Sequence, residues 1–169
     1  MEASPRCWVL SWNKTKVEED SMTNAEQQRT IFWTMFDREL EKQRYPFCIT
    51  HRAHYATVNR KSPSIDYGLT MDFLVQKGFL RIGIYMREGV SDFESMLESK
   101  EQIEQELGFS PTWTSKGEKN PNTRRVEVHL PIKAYNIYNY QRTILEAIPY
   151  VIKFMDVMPR YLSEDLFDF

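Results

Sequence analysis

The stretch "LTMDFLVQKGFLRIGIYMR", residues 69–87, decides the fold class. Two apolar-rich runs, Leu69 to Val75 and Phe79 to Arg87, flank the short polar segment "QKG". Gly78 can supply the positive φ that a tight connection between antiparallel strands requires. In the second run Leu80, Ile82, Ile84 and Met86 alternate onto one face and predict a core side, with Arg81 and Arg87 on the solvent side. A hairpin with one apolar face has to be covered, and helices with a matching apolar stripe are the usual cover.

Two such helices flank it. Upstream, Thr23 and Glu26 in "TNAE" form a capping box, in which each side chain reaches the other's unpaired backbone amide. Ile31, Phe32, Met35, Phe36 and Leu40 then recur at three-to-four spacing with Trp33 beside them, and Pro46 closes the helix. From Phe47 the period changes to two. Phe47, Ile49, His51, Ala53 and Tyr55 share one face, with Thr50, Arg52 and His54 on the other, which predicts one strand followed by a turn in "NRKSPSID", residues 59–66.

Downstream, "SDFESMLESKEQIEQELG", residues 91–108, predicts one helix capped by Ser91 and Glu94 and ended by Gly108. Residues 112–115 and 124–130 predict a strand pair joined by "KGEKNPNT". In its second strand Val126, Val128 and Leu130 point one way, and Arg125, Glu127 and His129 the other. A last helix over Tyr138 to Met158 buries Ile144, Leu145, Ile148, Val151, Ile152 and Met155, with a kink or break at Pro149 and a stop at Pro159.

Together these elements predict an α+β fold in one domain over residues 1–169. An antiparallel sheet of about five strands carries three main helices on one face. Residues 1–20, in which Trp8, Leu10 and Trp12 alternate, predict an extended arm or edge strand, and "SEDLFDF" at 163–169 a tail that is docked by Leu166 and Phe167 or frayed. The chain has 41% hydrophobic and 14% aromatic residues, enough for a packed core. Its formal charge of −2 gives no global attraction to nucleic acid, so any such attraction has to be local. Cys7 and Cys48 are too few and too separated for a disulfide scaffold, and predict reduced thiols in a cytoplasmic protein. No signal peptide is read at the start, and the apolar run Ile144 to Met158 is interrupted by Glu146, Pro149, Lys153 and Asp156, so no membrane partner is expected.

Several residues carry a resemblance. They are Phe32 and Trp33; Phe93, Leu97, Lys100, Ile103, Glu104, Leu107 and Gly108 in "FESMLESKEQIEQELG"; Trp113; "RRV" at Arg124 to Val126; and Phe154 and Pro159. On these the chain resembles a bacterial family, domain of unknown function 4268 (DUF4268), often found after a PD-(D/E)XK nuclease-like module. The nuclease module has no counterpart in this sequence, so the resemblance implies an accessory or recognition domain, not cleavage.

The candidate sites follow from charge. Between Lys42 and Lys61 lie Lys42, Arg44, Arg52, Arg60 and Lys61 with no acid among them, and Tyr45, His51, His54 and Tyr55 are interleaved. Lys116, Lys119, Arg124 and Arg125 extend the run if the strand pairs lie side by side. Basic side chains among aromatics suit a phosphate backbone with exposed bases, so Arg52, Arg60, Lys61, Arg124 and Arg125 are the expected contacts to DNA or RNA. The plainer alternative is a solvated face balanced by residues 92–106, which hold six acids and one lysine. Lys100 and Glu104, four apart on one helix face, read first as a structural pair on the shoulder of the buried stripe, and second as a charge held for a ligand. His51 and His54 point to opposite faces of the expected strand, so no metal is expected there. Glu127, His129 and Lys133 lack the paired acid of a nuclease site, and Pro131 interrupts their strand. No catalytic residue and no cofactor is expected. The competing partner class is a protein: a nuclease subunit, or a second copy meeting through aromatics of the last helix.

Overall fold

The computed structural model describes residues 24–51, 55–60, 69–74, 78–86, 90–117, 121, 123–132 and 136–162. The expected arm, Thr23 of the capping box and the tail at 163–169 lie outside them, as do Arg52, His54, Lys61, Arg87, Lys119 and Lys133. Among the described residues six strands form one sheet: β1 Phe47–His51, β2 Tyr55–Arg60, β3 Leu69–Leu74, β4 Phe79–Met86, β5 Thr112–Thr114 and β6 Arg124–Pro131. Their spatial order is β1-β2-β3-β4-β6-β5, and every neighbouring pair is antiparallel. Four helices among the described residues accompany them: α1 Asn24–Lys42, α2 Val90–Glu98, α3 Lys100–Leu107 and α4 Ile137–Val157, the last passing into a 3-10 turn at Met158–Arg160. The α+β class stands, with six strands and four helices among the described residues, where about five strands and three main helices were expected.

The β3–β4 hairpin forms as its alternation predicts, with Leu69 opposite Ile84 and Leu74 opposite Phe79. Gly78 sits at φ 78°, a conformation that costs a residue with a Cβ about 1–2 kcal/mol. Leu80, Ile82, Ile84 and Met86 are buried with Val126 and Leu130 of β6, which pairs along the full length of β4. Over this face lie α1 and α4. Phe32, Trp33, Phe36 and Leu40 of α1 are fully buried, and Phe32 meets both Trp33 and Tyr140 edge to face, at 5.0 and 5.3 Å between centroids. Tyr140, fully buried on α4, donates its hydroxyl to Gln28 Oε1 at 3.1 Å, as a buried phenol needs to. Between the same two helices the buried Glu39 accepts from Gln43 and Gln141. Those bonds, the Gln43 one foremost, hold its carboxyl below the ordinary value.

Four local expectations change. The single strand over 47–55 is a hairpin, in which His51 pairs with Ala56 and Phe47 with Arg60, so Asn59 and Arg60 belong to a strand and not to a turn. The helix over 91–108 starts at Val90, leaving Ser91 inside it, and is divided at Ser99 (φ −100°, ψ 12°). The division lets Phe93, Met96, Ile103 and Leu107 all enter the core, and Gly108 ends α3 at φ 78° as expected. Across Pro149 α4 continues without a break, and Leu145 is on its outer side, 45% exposed, where burial was expected. Arg44, a non-glycine residue at φ 58°, ends α1: its amide and that of Tyr45 donate to the Glu41 and Leu40 carbonyls, the double bond pattern of a Schellman turn.

The 3-10 turn is fastened to α3. Tyr161 donates its hydroxyl to Glu106 Oε1 at 2.7 Å, and Arg160 reaches Glu106 Oε2 at 2.6 Å. The Tyr161 bond, ahead of the other causes, holds the Glu106 carboxyl below its ordinary 4.5, and the same bond holds the Tyr161 phenol above its ordinary 10.0. A depressed carboxyl stabilises the fold above its unfolded value and loses that contribution as pH falls through the folded one. A raised phenol does the reverse, and its contribution is lost as pH rises through the folded value. Protection of the amides in residues 158–162 against exchange, relative to their intrinsic rates, is therefore greatest between those limits and falls at both ends, and Tyr161→Phe abolishes the alkaline limb and weakens the acid one, where the Gln102 and Arg160 contacts remain.

Candidate nucleic-acid interface

Strand alternation gives β4 and β6 a second row of side chains, opposite the row that enters the core. It holds Phe79, Arg81, Gly83 and Tyr85 on β4, and Arg125, Glu127 and His129 on β6. Gly83 is opposite Glu127 in the ladder, and a Cβ on Gly83 would stand 2.6 Å from Glu127 Cβ and against the Val126 carbonyl oxygen. The glycine thus lets Glu127 lie close across the neighbouring strand. Glu127 is 7% exposed, and its carboxylate has two basic neighbours, His129 Nε2 at 3.0 Å and Arg81 at 3.7 Å. Burial at this level is tolerable for a charge because both neighbours compensate it. Arg81, expected in solvent, is instead largely covered by this pairing.

Rings extend the row in both directions. Phe79 and His129 stack face to face, 4.2 Å apart and 8° from parallel. At the other end the Arg125 guanidinium lies 5.2 Å over the Tyr85 ring, and the Tyr85 hydroxyl is 3.4 Å from the Thr123 hydroxyl. His129 and Arg125 remain partly accessible, and the exposed Thr112 and half-buried Thr114 of β5 occupy the neighbouring register positions, opposite Glu127 and Arg125.

The residues expected to contact nucleic acid are only partly brought together. Arg125 belongs to this row. Arg124, next to it on the strand, goes to the other face, where its guanidinium donates to the Pro121 and Thr123 carbonyls at 2.6 and 3.4 Å and holds the preceding loop. Arg60 occupies the same end of the sheet as Arg124: Val58 pairs with Leu69, Leu69 with Ile84 and Ile84 with Val126, and both arginines lie two residues beyond that line. Three strand spacings, about 14 Å, separate their backbones. Arg52 and Lys61 are outside the described residues. Aromatic partners for the basic groups were missed because Phe79 and Tyr85 are far in sequence from His129 and Arg125. The alternation of Arg125, Glu127 and His129 was the available signal.

Lys100 and Glu104 do pair, at 3.8 Å, on the shoulder of the stripe formed by Ile103 and Leu107. A third residue joins them. Trp113 of β5 donates its indole N–H to Glu104 Oε1 at 2.9 Å, packs on Phe93, and lies under the Lys100 ammonium, which is 5.9 Å from its ring centroid. The trio ties α3 to the edge strand β5, which is a structural use of both charges. Among the described residues no three His, Cys, Asp or Glu side chains gather as a metal site requires, and no helix is long and apolar enough to cross a membrane.

A family profile described as "Domain of unknown function (DUF4268)" covers residues 28–162, a span from the first turns of α1 to the residue after Tyr161. No curated protein and no solved structure matches the chain.

Proposed function

The chain belongs to the DUF4268 family, whose description names no activity, and we propose from the β4–β6 row that it is a non-enzymatic recognition domain that binds single-stranded nucleic acid. It would act as an accessory part of a nuclease-associated or defence-type system. The observation that carries this reading is the interleaving of rings and basic groups along one sheet face: Phe79 on His129, then Arg81, then Arg125 on Tyr85. Ring and guanidinium planes take unstacked bases, and the same guanidinium groups take phosphates, which favours a single strand over a duplex whose bases are already stacked. Glu127 offsets Arg81, so the row neutralises few phosphates and the salt dependence is shallow. Arg60, whose register position shares the sheet face of Arg124 and not that of the row, would with Arg52 and Lys61 add positive charge at the end of the sheet.

Fluorescence anisotropy with labelled single-stranded and duplex DNA and RNA tests the proposal. The expected result is binding of single strands that weakens with salt and falls by at least about tenfold in Arg125→Glu, which reverses a contacting charge. A smaller loss is expected for Arg52→Glu combined with Arg60→Glu. Affinity that ignores salt, or that Arg125→Glu leaves intact, contradicts the electrostatic mechanism.

A further inference from the structure

The outer stripe of α4 has a charge order that is complementary to itself when reversed. Tyr138 is 90% exposed and Leu145 45%, while Arg142 and Glu146, which pair with each other at 3.7 Å along the helix, have side chains 70% and 52% exposed. Farther along the helix Lys153 and Asp156 are exposed and Ile152 is half-buried. In the middle is Pro149, also exposed, which has no N–H and so leaves the Leu145 carbonyl without its helical donor.

Arg142 precedes Pro149 by as many residues as Asp156 follows it. Leu145 and Lys153 are likewise equidistant from it, as are Glu146 and Ile152. At 100° per residue, Glu146 and Lys153 fall on one flank of the stripe, and Leu145 and Ile152 on the other. We propose that α4 is a self-association helix, two copies pairing antiparallel about a two-fold axis that passes beside Pro149. That operation brings each flank against its own copy: Arg142 meets Asp156 near the middle of the stripe, Glu146 meets Lys153 on the charged flank, and Leu145 meets Ile152 on the apolar one. A parallel pairing would set the charged flank of each copy against the apolar flank of the other, and Arg142 and Asp156, near the middle of the stripe, each beside its like. The charge order therefore selects both the occupant, a second copy of this chain, and its direction. Isolated surface ion pairs contribute little each, so the dimer is a weak, concentration-dependent one whose closeness depends on Leu145 and Ile152.

Sedimentation velocity over a concentration series, together with crosslinking, tests this. The wild type is expected to shift from monomer to dimer with rising concentration. Leu145→Arg should weaken the dimer by at least about tenfold, equivalent to one apolar contact exchanged for a buried charge. Glu146→Lys alone and Lys153→Glu alone should each weaken it, and the two together in one chain should restore it. Circular dichroism of each variant separates loss of association from loss of fold. In a chain with Cys7→Ser and Cys48→Ser, Pro149→Cys should form an intermolecular disulfide under mild oxidation. A wild type that stays monomeric throughout, a dimer unaffected by Leu145→Arg, or a double exchange that fails to restore association overturns the proposal.

Discussion

Trp33→Ala lowers the free energy of unfolding by about 3–5 kcal/mol, the range for deleting a large buried aromatic. Trp33 is fully buried on α1, with Phe32 edge to face at 5.0 Å and Phe36 tilted at 6.5 Å, so removing the indole leaves a void bordered by rings that cannot close together. A loss of this size is a large part of the ~5–15 kcal/mol that holds a domain together. Urea unfolding followed by far-ultraviolet circular dichroism measures it. Trp33→Phe keeps an aromatic ring in the same place and should cost less than half as much. Equal costs for the two variants would mean that the void is not what destabilises the alanine form.

Gly83→Ala is the second large effect, and it links the core to the candidate site. The new methyl group meets Glu127 Cβ, Glu127 Cα at 2.7 Å and the Val126 carbonyl oxygen. Two of these three are backbone atoms of the paired strand, which cannot swing away as the end of a flexible side chain can. Overpacking of this kind costs about 1–3 kcal/mol, and it also shifts β6 against β4. The shift moves Glu127 relative to Arg81, and His129 relative to Phe79, so nucleic-acid affinity should fall in protein that is still folded at low temperature. Glu127→Gly in the same chain removes the Cβ clash but not the one at the Val126 oxygen, so stability should be recovered in part only. Full stability in Gly83→Ala would show that the two strands are less closely apposed than the structure has them.

How much of this could be read from the residues depends on how local each signal is. The β3–β4 hairpin was legible because Leu80, Ile82, Ile84 and Met86 alternate without interruption and Gly78 marks the turn. The β1–β2 hairpin was not. Its connection, Arg52, Ala53 and His54, has none of the Gly, Pro, Asn or Asp residues that announce a turn, and the alternation runs through it unbroken. The division at Ser99 was hidden for a similar reason, since a helical period continues across it with only a change of phase. Leu145 was placed inside α4 because it is apolar, although its neighbours Ile144 and Ile148 already fill the core-facing side.

The same distinction applies to the candidate site. One strand was enough to place Arg125, Glu127 and His129 on a common face. What lies across from them was not legible, because Phe79, Arg81 and Tyr85 reach the row only through the pairing of β4 with β6. Alternation assigned Arg81 to the correct face but could not show the carboxylate waiting there, and so it read as a solvated charge. Arg124 and Arg125 read as one basic pair although a strand necessarily sends them to opposite sides. Lys100 and Glu104 were legible as a pair from their spacing, whereas Trp113, nine residues past Glu104 and on another element, was not.

Nucleic acid recognised as proposed contacts the β4–β6 row. A heteronuclear NMR titration of the labelled protein with a short single-stranded oligonucleotide tests it most directly. The largest shifts should gather at Tyr85, Thr112, Arg125 and His129 and diminish as salt is added. Shifts confined to α4 or to the acidic surface of α2 and α3, or no shifts at all at protein concentrations where the fold is intact, would contradict it.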